Sequence, residues 1–135
     1  MPITFIPQPG QVLMCDFATG FVRPEMQKKR HCVVISPRYR QHTGCCLVVP
    51  FSTMAPDHIE PYHYVIAADK YSFFAEGREI WAKADMLTHA AFSRLDRVLD
   101  HGRYTSPPLD KEDLCGIQKA VLHAIGLGNL VEFMT

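Results

Sequence analysis

Two short segments carry residue types that can act on a phosphodiester, and a third can hold one. In Glu25-Met-Gln-Lys-Lys-Arg30-His-Cys-Val-Val-Ile35 a carboxylate and a guanidinium bracket a loop end that runs directly into an apolar strand. An always-charged planar donor fork at the root of a strand suits phosphate oxygens and the charge that develops on them during cleavage. The same two side chains can instead close a surface ion pair on each other. In Pro50-Phe51-Ser52-Thr53 two hydroxyls follow a buried run and so fall at a sheet end. There they either donate to phosphate oxygens or form a turn. Between residues 23 and 42, Arg23, Lys28, Lys29, Arg30, Arg38 and Arg40 face the single acid Glu25, a basic stretch that is either a solvated loop or a polyanion contact.

Other clusters read more plainly. His31 beside Arg30 could serve as a general acid, but on a strand its side chain alternates to the opposite face, which favours packing. Cys45-Cys46 near His42 hints at a metal, yet adjacent strand residues point apart and cannot share one ion, so no metal site is expected. A nucleophilic pairing of Cys32 with His63 has no local signature. Asp16 and Asp85 suit sheet-end partners, and Trp81, Tyr62, Tyr64, Phe73 and Phe74 suit core and interface.

These residues need a scaffold, and the apolar runs supply one. Val12–Phe17 enters through the turn Pro9-Gly10, and Cys32–Ile35 is a second buried strand. A solvent-facing loop, Ala18–Lys29, lies between them. Cys45–Val49, bounded by Thr43-Gly44 and Pro50, is a third strand, Tyr62–Ala67 a fourth and Ile80–Leu87 a fifth. Ser93–Arg97 is a short helical turn, and Val98–Tyr104 returns as a strand. After Ser106-Pro107-Pro108, Asp110 caps a helix whose Leu114, Ile117, Val121, Leu122 and Ile125 form one stripe, stopped at Gly126 or Gly128. The expected fold is mainly β (α+β), a small SH3-like antiparallel barrel with a C-terminal helix, in one domain over 1–135.

Composition limits the function. Hydrophobic residues at 47% and charged residues at 21% describe a globular chain rather than a disordered or fibrous one. Fourteen basic against fourteen acidic side chains leave no overall field for nucleic acid, so any such contact must be local. The N-terminus lacks a signal-peptide pattern, Pro50 interrupts the longest apolar run, and five cysteines, an odd number and most of them within strand-like runs, suit reduced thiols. A cytoplasmic protein without membrane contact is expected.

Taken in order, the segments resemble the MazF/PemK family of type II toxin-antitoxin ribonuclease toxins. Pro9-Gly10-Gln-Val-Leu-Met-Cys-Asp16-Phe17 is similar to the family's opening turn, strand and Asp-Phe pair, and Glu25 to Arg30 keeps its five-residue separation of loop acid and Arg. Val33-Val34-Ile35-Ser36-Pro37, Thr43-Gly44 with Pro50-Phe-Ser52-Thr53, Trp81-Ala-Lys-Ala-Asp85 and Ser93-Arg94-Leu95 continue the match up to the helix. His31 stands where the family usually has Pro, and Ser52 where Thr is common.

The resemblance implies a metal-independent endoribonuclease without cofactor, a homodimer with its RNA groove at the subunit interface, and cleavage by attack of the substrate's own 2′-OH. Arg30 takes the catalytic phosphate-contacting position, Ser52 that of its hydroxyl partner and Glu25 that of the loop acid, a base for the 2′-OH. Lys28, Lys29, His31, Thr53 and Arg38 are the accompanying candidates for binding single-stranded RNA. The implied protein partner is a cognate antitoxin whose acidic C-terminal tail covers the basic groove, with DNA reached only through that antitoxin. Two alternatives stay open: a CcdB-like toxin that acts by binding gyrase, and an inactive nucleic-acid or protein interaction module of the same fold.

Overall fold

Strands β1 (Val12–Asp16), β2 (Lys29–Val34) and β3 (Cys45–Ser52) form the middle of a seven-stranded sheet in a computed structural model that describes residues 2–134 except 19, 22, 25–27 and 39–42. All three pair antiparallel. Beyond β3 lie β5 (Ile80–Lys83) and β4 (His63–Ile66), and beyond β1 lies β7 (Leu95–Asp96). Strand β6 (Thr88–Ala91) also pairs with β3. Among the described residues no pairing joins β4 to β7, so the SH3-like sheet is open rather than fully closed.

Strands β5 and β6 share one edge of β3. Ala82 lies opposite Phe51 and Thr88 opposite Val48, so the pairing slips by three residues across the 3-10 turn Ala84–Met86. The strand expected over Ile80–Leu87 ends at Lys83 in that turn, where the Ala84 N–H donates to the Tyr62 carbonyl at 3.1 Å. The slip also explains how β3 runs through Pro50 instead of stopping before it. Pro50 faces the gap between the two partner strands, where a missing N–H costs no ladder bond.

Side-chain alternation gives the sheet two apolar faces. Val12, Val33, Val49 and Phe51 join Ile66, Phe73, Phe74 and the helix residues Ile117 and Ala120 on one. Leu13, Cys15, Cys32, Val34, Cys46 and Val48 pack with Ile3, Phe17 and Leu95 on the other. Burial of each Val or Leu contributes ~2 kcal/mol, and a one-residue slip would exchange the faces, so the register is fixed by both cores.

The helix α1 (Lys111–Ala124) begins as expected: the Asp110 carboxylate accepts the Asp113 N–H at 2.8 Å. Its stripe is shorter than expected. Ile117 and Ala120 are buried and Leu114 and Val121 half-buried, but Ile125 is 56% exposed, because the helix stops at Ala124 and Gly126 (φ +83°) turns the chain away. An acid joins the buried face instead: Asp113, 3% exposed, accepts bonds from the Tyr64 and Tyr71 hydroxyls at 2.6 Å each and pairs with Lys70 at 2.8 Å. Burial, then the Asp113 carboxylate, push both phenols up, Tyr71 to about 12, so they remain donors. At Gly116 the helix meets the Tyr64 ring so closely that a Cβ would overlap it.

The segment expected as one strand over Val98–Tyr104 is a hairpin, β8 (Val98–Asp100) and β9 (Arg103–Thr105). Its two-residue turn, His101 (φ +49°) and Gly102 (φ +79°), has the positive φ values that match the right-handed twist of paired strands. The short helical turn before it is a 3-10 turn at Phe92–Arg94. No described helix is long and apolar enough to cross a membrane.

Candidate active site at the open end of β2 and β3

Strand β2 starts at Lys29, three residues earlier than the sequence suggests, so Arg30 lies inside the strand rather than at a loop end. The last ladder pairs between β2 and β3 are Val33 with Val49 and Cys32 with Pro50. The Ile35 N–H donates to the Leu47 carbonyl at 3.0 Å, which makes 35/47 a hydrogen-bonded pair. By antiparallel alternation 33/49 is bonded too, whereas 34/48 and 32/50 are the open pairs with closer side chains. Carried two residues further, the register sets Arg30 across from Ser52 at another open position. Parity agrees, because Arg30 shares its face with Cys32 and Val34, and Ser52 shares its face with Cys46 and Val48.

Arg30, Ser52 and Thr53 line one depression of about 150 Å³, walled by Phe51, Phe74 and Ile80. Ser52 is 7% exposed, and its Oγ accepts the Met54 N–H at 3.1 Å. That bond fixes the oxygen while leaving the hydroxyl hydrogen to donate. Arg30, half-buried as a residue, thus borders the same depression as the pinned Ser52 hydroxyl.

The other candidates fall at graded distances. Lys29 is exposed at the mouth of the depression. Exposed Lys28 precedes it with φ +73°, a left-handed conformation that turns the chain into β2, and its carbonyl accepts the Phe17 N–H at 2.9 Å. His31 also lines the depression but packs edge-on against Phe74, ring centres 5.3 Å apart. Burial lowers its pKa against the opposing pull of a hydrogen bond to the Phe73 main chain, so near neutral pH the imidazole is uncharged. Arg38 follows the far end of β2 and does not line the depression. Glu25 lies outside the described residues, as do Arg40 and His42.

The remaining clusters stay apart. Cys32 and His63 sit on β2 and β4 with two strands between them, and burial pushes the Cys32 thiol well up and the Cys46 thiol up to about 12. Among the described residues no three His, Cys, Asp or Glu side chains gather as metal ligands. Asp16 accepts the Ala18 N–H at 2.8 Å, a sheet-end role. Trp81, Phe73 and Phe74 are buried, and Tyr62 and Tyr64 pack against the core.

Sequence patterns place Phe74 in the core and single out neither it nor Ile80, which close the depression, nor Arg97, Leu99 and Tyr104, which line a second cleft beside it, for the site. Phe74 and Ile80 have no pattern that distinguishes them from other core residues. The hairpin that carries Leu99 and Tyr104 does have a signal, His101-Gly102 between two apolar-containing triplets.

Comparison with known proteins bears on the family and the fold. The family model for PemK-like, MazF-like toxins of type II toxin-antitoxin systems matches residues 8–125. The uncharacterized protein YifN of Escherichia coli K12 is 29% identical, with 97% of this chain and 99% of that one covered. An uncharacterized protein of Haemophilus influenzae is 28% identical over 93% of this chain and 94% of its own. Among solved structures, MazF of Deinococcus radiodurans superposes with a TM-score of 0.68 at 18% identity, covering 90% of this chain and 98% of that one. A mycobacterial endoribonuclease in complex with its cognate antitoxin gives 0.63 at 20% identity, covering 90% and 96%. At these identities the structural likeness is one of fold, and the family follows from the sequence match. The chain belongs to the PemK-like, MazF-like toxin family of type II toxin-antitoxin systems.

Proposed function

We propose that residues 1–135 act as a single toxin domain, a metal-independent endoribonuclease that cleaves single-stranded RNA in the cytoplasm. The observation that carries this reading is the shared depression of Arg30 and Ser52 in a chain of this family. Arg30 holds the non-bridging oxygens of the scissile phosphate and Ser52 donates its hydroxyl hydrogen to one of them. The neighbouring ribose 2′-OH attacks phosphorus, the bond to the 5′ oxygen breaks as that oxygen takes a proton from solvent water, and a cyclic phosphate and a free 5′-OH remain. Both donors stabilise the charge that builds on the phosphoryl oxygens. Glu25, five residues before Arg30 in sequence, is the proposed base for the 2′-OH. Lys28, Lys29, His31 and Thr53 are proposed to contact the RNA chain. Arg38, at the opposite end of β2, is left out of the site.

The proposed assembly is a homodimer, restrained by an antitoxin whose acidic tail competes for the Arg30 depression. Complexes of mycobacterial and Deinococcus relatives with their antitoxins support that part of the reading. The test is incubation of the purified chain with single-stranded RNA in excess EDTA. Cleavage to cyclic-phosphate ends is expected, and it should disappear in Arg30→Ala. An absolute need for an added divalent ion would overturn the mechanism. Growth arrest by a chain that cleaves no RNA would favour a toxin that acts by binding.

A further inference from the structure

Over the end of β2, a cleft of about 710 Å³ opens beside the proposed active site. The two cavities share Lys29 and His31, so they adjoin at the end of β2. Its floor is one row across three strands: Asp96 pairs with Met14, and Met14 with His31. Its walls are Phe73 on one side and the β8–β9 hairpin on the other, where Leu99 and Tyr104 are cross-strand partners. Leu99 is 55% and Tyr104 62% exposed, a large apolar outlay on a hairpin with no core of its own. Lys29 and Arg97 add positive charge to the lining, and the Arg97 guanidinium lies 5.9 Å from the centre of the Tyr104 ring.

These features match the chemistry of one unstacked nucleotide. The volume falls within the roughly 300–1,000 Å³ of small-molecule sites. Single-stranded RNA is held by aromatic and guanidinium planes against the base, with cations along the backbone. An acidic peptide would find the two cations but would set its own charges against Asp96.

We propose that this cleft seats the nucleotide next to the scissile phosphate, with its base on Tyr104, its backbone held by Lys29 and Arg97, and its edge read by Asp96. The inference rests on the ribonuclease reading above and adds a specificity site to it. An anionic acceptor on the floor favours a base edge that offers N–H donors, such as the amino group of cytosine.

The experiment uses the full chain and a short single-stranded RNA that carries a 2′-deoxyribose at the linkage the wild type cleaves, so that binding is read without turnover. Tyr104→Ala and Arg97→Ala are each expected to raise Kd by about tenfold. Ile59→Ser, an equally exposed change outside both cavities, should stay within about twofold. In the wild type, 2-aminopurine at the flanking position should be quenched on binding, and Tyr104→Ala should relieve the quenching. Asp96→Asn should broaden the base preference at that position in a cleaved RNA pool. If the wild type cleaves RNA and Arg30→Ala does not, yet Tyr104→Ala binds with unchanged Kd and quenching, the cleft assignment is overturned and the ribonuclease reading stands. A Tyr104→Ala chain that loses its dimer while RNA binding is unchanged would assign the cleft to a second copy and also overturn it. A wild type that neither binds nor cleaves RNA would remove the parent reading and this one together.

Discussion

Arg30 and Ser52 stand across from each other in the continued register of β2 and β3, two residues past the last ladder pair, Cys32 and Pro50. The pair is held by the buried core on its own face and not by a loop, since moving either residue would move Cys32, Val34 and Val48 out of their fully buried positions. In the proposed mechanism, donors carried on strands in this way incur little reorganisation as charge develops on the phosphate.

Arg30→Ala should therefore lower RNA cleavage by about a hundredfold or more, roughly 3 kcal/mol of transition-state stabilisation, with unchanged circular dichroism. Arg30→Lys should recover little, because a flexible point charge cannot reproduce the planar fork. Ser52→Ala should fall between these and the wild type, while Ser52→Thr, which keeps the hydroxyl, should stay within a few-fold. Lys28→Ala and Lys29→Ala should instead weaken binding and flatten its salt dependence, by a slope of about 0.7 for each phosphate that is no longer neutralised. Single-turnover rates and salt titrations separate the two groups.

The main frame of the site was legible in the sequence because its cause is local. Valine-rich runs and alternation place β1 to β3, Asp110 marks the helix start, and the hydroxyls after Phe51 fall at a strand end as expected. What escaped depends on partners distant in sequence. The start of β2 at Lys29 is set by pairing with Asp16, and polar residues alone do not announce it. Pro50 reads as a stop, and only the slip between β5 and β6 shows why it is tolerated. Asp113 looks like an exposed helix acid until Tyr64 and Tyr71, more than forty residues earlier, reach it. The cleft beside the site depends on a hairpin coming to line one space with Met14 and His31, which no local pattern encodes.

His31 gives the molecule a pH dependence with a definite sign. Its folded-state pKa is depressed by burial, so below its usual value of about 6.5 the unfolded chain takes up a proton before the folded one does. Stability from this group is fully present above about pH 6.5 and declines as the pH falls toward the folded-state value. Asp110, whose pKa is lowered by Lys70 and by the Asp113 N–H, titrates in a lower and separate window. Melting temperatures between pH 5 and 8 should fall on the acid side in the wild type and fall less in His31→Gln. An equally steep decline in the variant would assign the effect to another group.

Asp113 ties the helix to the sheet. Asp113→Ala removes the common acceptor of two phenols, at an expected cost of about 2–4 kcal/mol. Tyr64→Phe removes one donor and should cost about 1 kcal/mol, and Tyr64→Phe made in the Asp113→Ala background should cost less than in the wild type. Urea unfolding of the four chains in this cycle measures the coupling. Simple additivity would mean that the Tyr64 bond contributes nothing specific.

Gly116 offers the sharpest check on how closely the helix sits. In an exposed helix interior Gly→Ala stabilises by about 0.8–1 kcal/mol, because alanine restricts the unfolded chain and suits the helix. Here the added Cβ would overlap the Tyr64 ring, and that ring is anchored through its hydroxyl to Asp113, so it cannot simply swing aside. Gly116→Ala should therefore destabilise, by about 1–3 kcal/mol as overpacking does. In a Tyr64→Ala background the obstacle is gone, and the same Gly116→Ala change should become neutral or stabilising by up to about 1 kcal/mol. Chemical unfolding of the single and double variants reads this reversal of sign directly. Gly116→Ala that stabilised the otherwise unaltered chain would show that the helix can lift from β4 at little cost.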